Sequence, residues 1–234
     1  LLPGQSRSLS GVAFRAFILG TVLGLSVGGT LYLAFKLDST LWRAPFFIAV
    51  LALFHFLEFW ITARYNTPTA KTTAFLLSNG REYQIAHSAA LCEHLITHFF
   101  FPDFQNAVIS IPYPWTVCAG LVAVALGQAV RSAAMAQAGT NFNHQVQSKK
   151  NKGHELVTSG VYAWLRHPSY FGFFWWGLGT QLVLGNVVCL AAYTVVLWRF
   201  FSHRIFHEEK FLVSFFGEDY VKFRARTSVG IPGI

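Results

Sequence analysis

The sequence predicts an all-α, polytopic integral membrane helix bundle, and three observations carry that prediction. Of its 234 residues, 53% are hydrophobic and 17% aromatic. Only 12% are charged, about half the share of an ordinary soluble domain. Uncharged runs recur at lengths that cross a hydrocarbon core about 30 Å thick. The same figures exclude a disordered chain, a coiled coil and a disulfide framework. Cys92, Cys118 and Cys189 each lie inside an apolar run and read as buried thiols. The net charge of +8 is spread between apolar segments, without the basic stripe and stacking aromatics of a nucleic-acid surface, so no nucleic-acid partner is expected. Basic loops between membrane spans account for it. The chain starts with Leu and carries Met only at position 135, so a natural N-terminus ahead of residue 1 is expected.

The first span is residues 16–35, 20 residues without a charge. Gly20, Gly24 and Gly28 recur there every four residues and predict a face that a neighbouring helix approaches closely. The second runs from Pro45 to Thr62, where His55 and Glu58 require a bundle-facing side. Residues 81–101 mix Arg81, Glu82, His87, Glu93, His94 and His98 with apolar residues, which fits either an interfacial amphipathic helix or a span lined by polar groups. Its three histidines line a pocket or merely face the bundle. Residues 107–130 are uncharged and enter through Ile-Pro-Tyr-Pro-Trp, as suits a membrane interface.

From Pro168 to Trp198 lie 31 uncharged residues with Gly185-Asn186 at the middle, more than one crossing needs. A helical hairpin follows, with the turn at that pair. A hairpin returns the chain to the face it left, so residues 141–167 and 199–234 share one side. Lys149, Lys150, Lys152 and Arg166 in the first segment, and Arg199, Arg204, Lys210, Lys222, Arg224 and Arg226 in the second, make that side cytosolic by the positive-inside rule.

Polar chemistry concentrates in residues 141–172. They form either a headgroup-neutralising loop or a site, and two details favour a site. Gly160-Val161-Tyr162 breaks the chain where backbone could approach a ligand, and Arg166-His167-Pro168 starts a helix whose free N–H groups suit an anion. Arg204 and Glu208 share a helix face. They form a surface ion pair, or each meets a ligand, Arg204 a carboxylate and Glu208 an ammonium or ribose hydroxyl. The spacings His94-x-x-x-His98 and His203-x-x-x-His207 suit metal, but adjacent histidines of the kind membrane di-iron enzymes need are missing, so no metal is expected. Soluble nucleotide-binding loops and a Gly-x-Ser-x-Gly elbow are likewise missing from the sequence.

In order and spacing, Asn141-Phe142-Asn143-His144, Gly153-His154-Glu155-Leu156-Val157-Thr158-Ser159-Gly160-Val161-Tyr162, Arg166-His167-Pro168-Ser169-Tyr170 and Arg204 with Glu208-Glu209 closely resemble the protein-S-isoprenylcysteine O-methyltransferase family of the endoplasmic reticulum membrane. The likeness covers about residues 131–232, and 43–130 more loosely. It implies an enzyme that uses S-adenosylmethionine to methylate the C-terminal carboxylate of prenylated cysteine in processed CaaX proteins, Ras-like GTPases among them. It also implies a multi-pass protein whose active site faces the cytosol.

Position by position, the resemblance puts cofactor contacts on Gln147, His154, Glu155, Leu156, Val157, Tyr162, His167, Pro168, Ser169, Tyr170 and Glu208. Arg204 would meet the substrate as the catalytic residue. It divides the chain into transmembrane helices at 1–130 and a methyltransferase core at 131–234, with the hairpin at about 168–206 and a cytosolic-face cofactor pocket built by the core. Family members carry further spans ahead of residue 1, and Phe206 and His207 thin the acidic run usual around Glu208. The Arg-His-Pro-x-Tyr motif is shared with NADPH-dependent sterol reductases and phospholipid N-methyltransferases, which stand as alternatives.

The chemistry fits these residues. A carboxylate is already ionised at neutral pH and needs no general base. It needs orientation, for which Arg204 is suited, and a site that strips water. A prenyl chain favours sideways entry from the bilayer, through an opening expected near Trp175 or Trp176.

Overall fold

The computed structural model describes residues 2–104, 112–150 and 153–234. The expected span start at 107–111 and Lys152 lie outside the described residues. The helices follow the apolar runs: α1 (Leu9–Phe35), α2 (Arg43–Tyr65), α3 (Arg81–Phe100), α4 (Tyr113–Ala138), α5 (Pro168–Leu184), α6 (Val188–Phe216) and α7 (Glu218–Arg226). The described residues contain no strand, only an isolated bridge between Leu165 and Ser228. Stretches long and apolar enough to cross a membrane run over Leu9–Phe35, Thr40–Tyr65 and Pro114–Asn141. Their outer surfaces carry exposed apolar side chains, such as Phe17, Leu25 and Phe35 on α1, as lipid-facing helices do. This explains a correction to the cysteines: Cys189 is buried, but Cys92 and Cys118 are exposed. In a membrane protein an apolar run faces lipid as readily as core.

The hairpin forms as expected. Gly185 adopts φ +77° at the end of α5, a left-handed turn natural for glycine, and α6 starts at Val188. α5 is the central helix, buried from Pro168 through most of its length. It packs backbone to backbone on α4, because a Cβ on Gly127 would lie 2.6 Å from the Gly172 carbonyl and one on Gly120 would lie 2.8 Å from that of Gly179. The close approach expected of Gly20, Gly24 and Gly28 is not there, since nothing lies within 4 Å of a Cβ at any of them. α1 meets α2 instead through Val12, Ala16, Leu19 and Leu23, a stripe at helical spacing that turns those glycines away.

α3 is packed into the bundle, with Ala90 and His94 buried, and its polar groups grip the hairpin tip. The Glu93 carboxylate accepts from the N–H groups of Val187, Val188 and Cys189 at 2.7, 2.8 and 2.6 Å, capping the start of α6. His94 Nδ1 and Arg43 Nη1 both reach the Leu184 carbonyl, at 2.8 and 3.1 Å. Asn186 donates to the Ala90 carbonyl at 2.9 Å. Of the histidines of this segment, His94 therefore faces the bundle and His87 stacks on Phe47 at 5.7 Å, whereas His98 meets Thr40 at 3.0 Å in an exposed contact. The expected entry at Trp175 or Trp176 is also corrected. Trp176 is 2% exposed and packs on Phe54 at 4.9 Å. Trp175 donates its indole N–H to the Gly230 carbonyl at 3.2 Å, under the C-terminal tail, so its polar tip is satisfied inside the fold.

Candidate functional site

The end of α4, residues 141–143 and 154–167, the start of α5 and the outer half of α6 line a cavity, the concave shape that small-molecule sites take. One wall is the extended run His154, Glu155, Leu156 and Val157, held in place by the Glu155 N–H donating to Asn141 Oδ1 at 3.0 Å. The opposite wall is the first turn of α5, with His167, Pro168, Ser169 and Tyr170. Proline at the first helical position fixes that turn. Tyr162 closes the base, its hydroxyl donating to the Ala134 carbonyl at 3.3 Å. From α6 come Glu208, Leu212 and Phe216, spaced four apart on one face. Tyr220 and Phe223 of α7 complete the lining.

At the rim, Tyr170 joins the two charges of α6. Its hydroxyl donates to Glu208 Oε2 and accepts from Arg204 Nε at 2.8 Å. The Arg204 guanidinium lies over the Tyr170 and Phe200 rings, 5.3 and 5.9 Å from their centroids, and donates from Nη2 to the His144 carbonyl. Arg204 and Glu208 are thus linked through a tyrosine rather than directly paired with each other, so the simple ion pair does not describe them. Behind this layer sits Glu209, which accepts from Arg166 Nε at 2.6 Å, lies 3.4 Å from His167 Nε2 and accepts from Arg224 Nη1 at 3.4 Å. Burial alone would raise its carboxyl, but the adjoining His167 ring and Arg166 guanidinium hold it down at about 2. Burial lowers the His144 imidazole to about 4, aided by Arg131 and Arg204 and opposed by Glu58. Burial also lowers His154, with help from Lys150, and raises the Tyr162 phenol, with help from Glu208.

Residues 119–214, which supply most of these walls, match the Isoprenylcysteine carboxyl methyltransferase (ICMT) family. Protein-S-isoprenylcysteine O-methyltransferase of Saccharomyces cerevisiae is 45% identical over 98% of this chain and 94% of the yeast protein. The Homo sapiens protein of the same name is 41% identical over 95% of this chain and 75% of its own length. The chain belongs to the isoprenylcysteine carboxyl methyltransferase family. A solved structure of the eukaryotic intramembrane Ras methyltransferase of this family superposes with a TM-score of 0.86 at 39% identity, covering 96% of this chain and 77% of that one. These relatives do not favour the sterol reductase or the phospholipid N-methyltransferase.

Of the residues singled out in the sequence of this methyltransferase, His154, Glu155, Leu156, Val157, Tyr162, His167, Pro168, Ser169, Tyr170 and Glu208 all line the cavity. Arg204 is not on the lining but touches it through Tyr170. Gln147 is not brought to the wall, and its amide donates to the Gln145 carbonyl at 3.3 Å. Gly160 does serve a close backbone approach, but to another part of the fold. It takes φ +61°, a Cβ there would lie 2.3 Å from Gln137 Oε1, and the next N–H donates to that same oxygen at 2.8 Å. The start of α5 offers less to an anion than expected, because the N–H groups of Tyr170 and Phe171 are taken by the His167 carbonyl at 3.0 and 3.1 Å. Sequence reasoning assigned no role to Leu212 and Phe216, although their four-residue spacing from Glu208 was there to read. It also missed Phe142, Tyr220 and Phe223, whose places depend on tertiary structure.

Proposed function

We propose that this chain transfers a methyl group from S-adenosylmethionine to the C-terminal carboxylate of a prenylated cysteine, at the cytosolic face of the endoplasmic reticulum membrane, in processed CaaX proteins such as Ras-like GTPases. The observation that carries the reading is the Tyr170 hydroxyl, which couples a carboxylate on the cavity wall, Glu208, to a guanidinium at the rim, Arg204. The cavity's chemistry fits the cofactor. Leu156, Val157 and Leu212 offer apolar wall to an adenine ring, Glu208 accepts from a hydroxyl or ammonium, and Tyr162, Tyr170 and Phe216 present aromatic faces, which favour a sulfonium cation by up to about 2 kcal/mol once water is removed. The chemistry drawn from the bound cofactor is an electrophilic methyl group.

The chain's own residues then have three tasks. Arg204 holds one oxygen of the incoming carboxylate and leaves the other free to attack, because a full bidentate fork would quench the nucleophile. Tyr170 fixes the guanidinium by accepting from Nε. The buried walls at His167, Pro168 and Ser169 exclude water. No proton has to move, so the reaction asks for no general base. The outward-facing Phe200 beside the Arg204 guanidinium provides an apolar approach from the bilayer, where each buried methylene of a prenyl chain is worth about 0.8 kcal/mol. The test is incubation of the purified protein with N-acetyl-S-farnesylcysteine and either methyl-labelled S-adenosylmethionine or hydride-labelled NADPH. Label transfer from the first alone is expected, and transfer from NADPH would overturn the reading. An unprenylated cysteine peptide should be a very poor substrate.

A further inference from the structure

Glu58 sits at 1% exposure inside a membrane-spanning helix, where a carboxylate is costly and is kept only with a partner and a task. Its partner is Arg131 of α4, 73 residues away, which donates to the two carboxylate oxygens from Nε and, at 2.9 Å, from Nη2. The guanidinium lies between the Phe54 and Phe173 rings, 5.4 Å from each centroid. Its remaining nitrogen, Nη1, reaches the carbonyl and the hydroxyl of Ser169 at 3.3 and 3.4 Å, and Ser169 is part of the cavity wall. The same carboxylate also lies close to the 142–144 segment. Glu58 Oε2 lies 3.8 Å from His144 Nδ1, and the His144 carbonyl is the acceptor on which Arg204 rests. Two turns further along, Asn66 at the end of α2 donates to the Phe142 carbonyl at 2.9 Å, so a hydrogen bond ties α2 to the same segment.

We propose that Glu58 is a positioning residue for methyl transfer: by fixing the Arg131 guanidinium it holds Ser169 in the cavity wall, beside the segment whose His144 carbonyl seats Arg204. Stability alone does not account for the pair, because a buried ion pair exchanged for well-packed apolar groups is usually neutral or stabilising. What apolar groups cannot do is hold both polar groups of Ser169. The inference rests on the methyl-transfer reading above and gives α2, the second helix of the chain, a part in a site built otherwise from its C-terminal half.

The experiment uses the full chain in detergent or nanodiscs, with N-acetyl-S-farnesylcysteine and S-adenosylmethionine. Glu58→Gln is expected to lower kcat roughly ten- to hundredfold, the range of a sub-ångström to 1 Å misplacement, and to raise KM for the farnesylcysteine more than that for the cofactor, which many more residues hold. Glu58→Asp should recover part of the loss. Because Glu58→Gln leaves Arg131 unpaired and threatens folding, Glu58→Leu combined with Arg131→Met is measured beside it. That protein should be monodisperse and unfold at or above the wild-type temperature, yet stay at least tenfold low in kcat. A double variant that regains wild-type kcat, or a folded Glu58→Gln with unchanged kcat and KM values, overturns the positioning role. A wild-type protein inert toward farnesylcysteine overturns the function and this role together, whereas an active wild type with unaffected variants overturns this role alone.

Discussion

Replacing Tyr170 with Phe removes one oxygen and leaves the ring, which stacks on His167 at 5.4 Å and on Phe201 at 5.1 Å. The lost hydroxyl makes two charge-assisted hydrogen bonds, to Glu208 and from Arg204, and each such bond is worth about 1.5–3 kcal/mol. Glu208 and Arg204 are half-buried, so water takes up part of the vacated bonding, and one bond's worth is the expected net loss. About 1.5–3 kcal/mol is roughly a ten- to hundredfold fall in kcat/KM for the prenylcysteine. Initial rates with both substrates varied measure it, and thermal unfolding in detergent checks that the fold is kept. A folded Tyr170→Phe protein whose kcat/KM stays within twofold of wild type would refute the claim that this hydroxyl orients the reacting charges.

Three further outcomes are expected. Glu208→Ala should abolish S-adenosylmethionine binding in a calorimetric titration, and normal affinity would remove Glu208 from the cofactor site. Gly127→Ala pushes a methyl to 2.6 Å from the Gly172 carbonyl and should destabilise by about 1–3 kcal/mol or more, whereas Gly24→Ala, with open space around it, should be nearly neutral in the same thermal unfolding series. Glu209 has a carboxyl depressed from 4.5 to about 2, so its stabilisation is fully present above about 4.5 and is lost as pH falls through about 2. That contribution is on the order of 3 kcal/mol at most. Between those pH values wild type should lose stability more steeply than Glu209→Gln, and parallel profiles would contradict the assignment.

The spans and the hairpin were legible because length and charge-free composition decide them, and Gly185-Asn186 marks its own turn. The cavity walls were legible as well, since the 153–170 block and Glu208 are local patterns. Partner choice was not. A four-residue glycine repeat looks alike whether or not a helix meets it, so Gly20, Gly24 and Gly28 read as an interface, whereas the glycines that touch backbone, Gly120 and Gly127, lie seven apart on another helix. The expectations for the two tryptophans and for Cys92 and Cys118 failed for a related reason, because an apolar run does not say whether its side chains face lipid or core. Glu58 could be read as facing the bundle, but its pairing with Arg131 across 73 residues exists only once the helices have packed.

The central claim is that these residues make a methyl ester from an S-adenosylmethionine methyl group and a prenylcysteine carboxylate. It is tested most directly by incubating the purified protein with methyl-labelled S-adenosylmethionine and N-acetyl-S-farnesylcysteine, treating the product with base and counting the volatile label. An ester releases its methyl group as methanol, so base-labile label that depends on the farnesylcysteine and falls sharply in Arg204→Ala is the predicted result. Label that resists base, or that appears equally without the prenylcysteine, would contradict it.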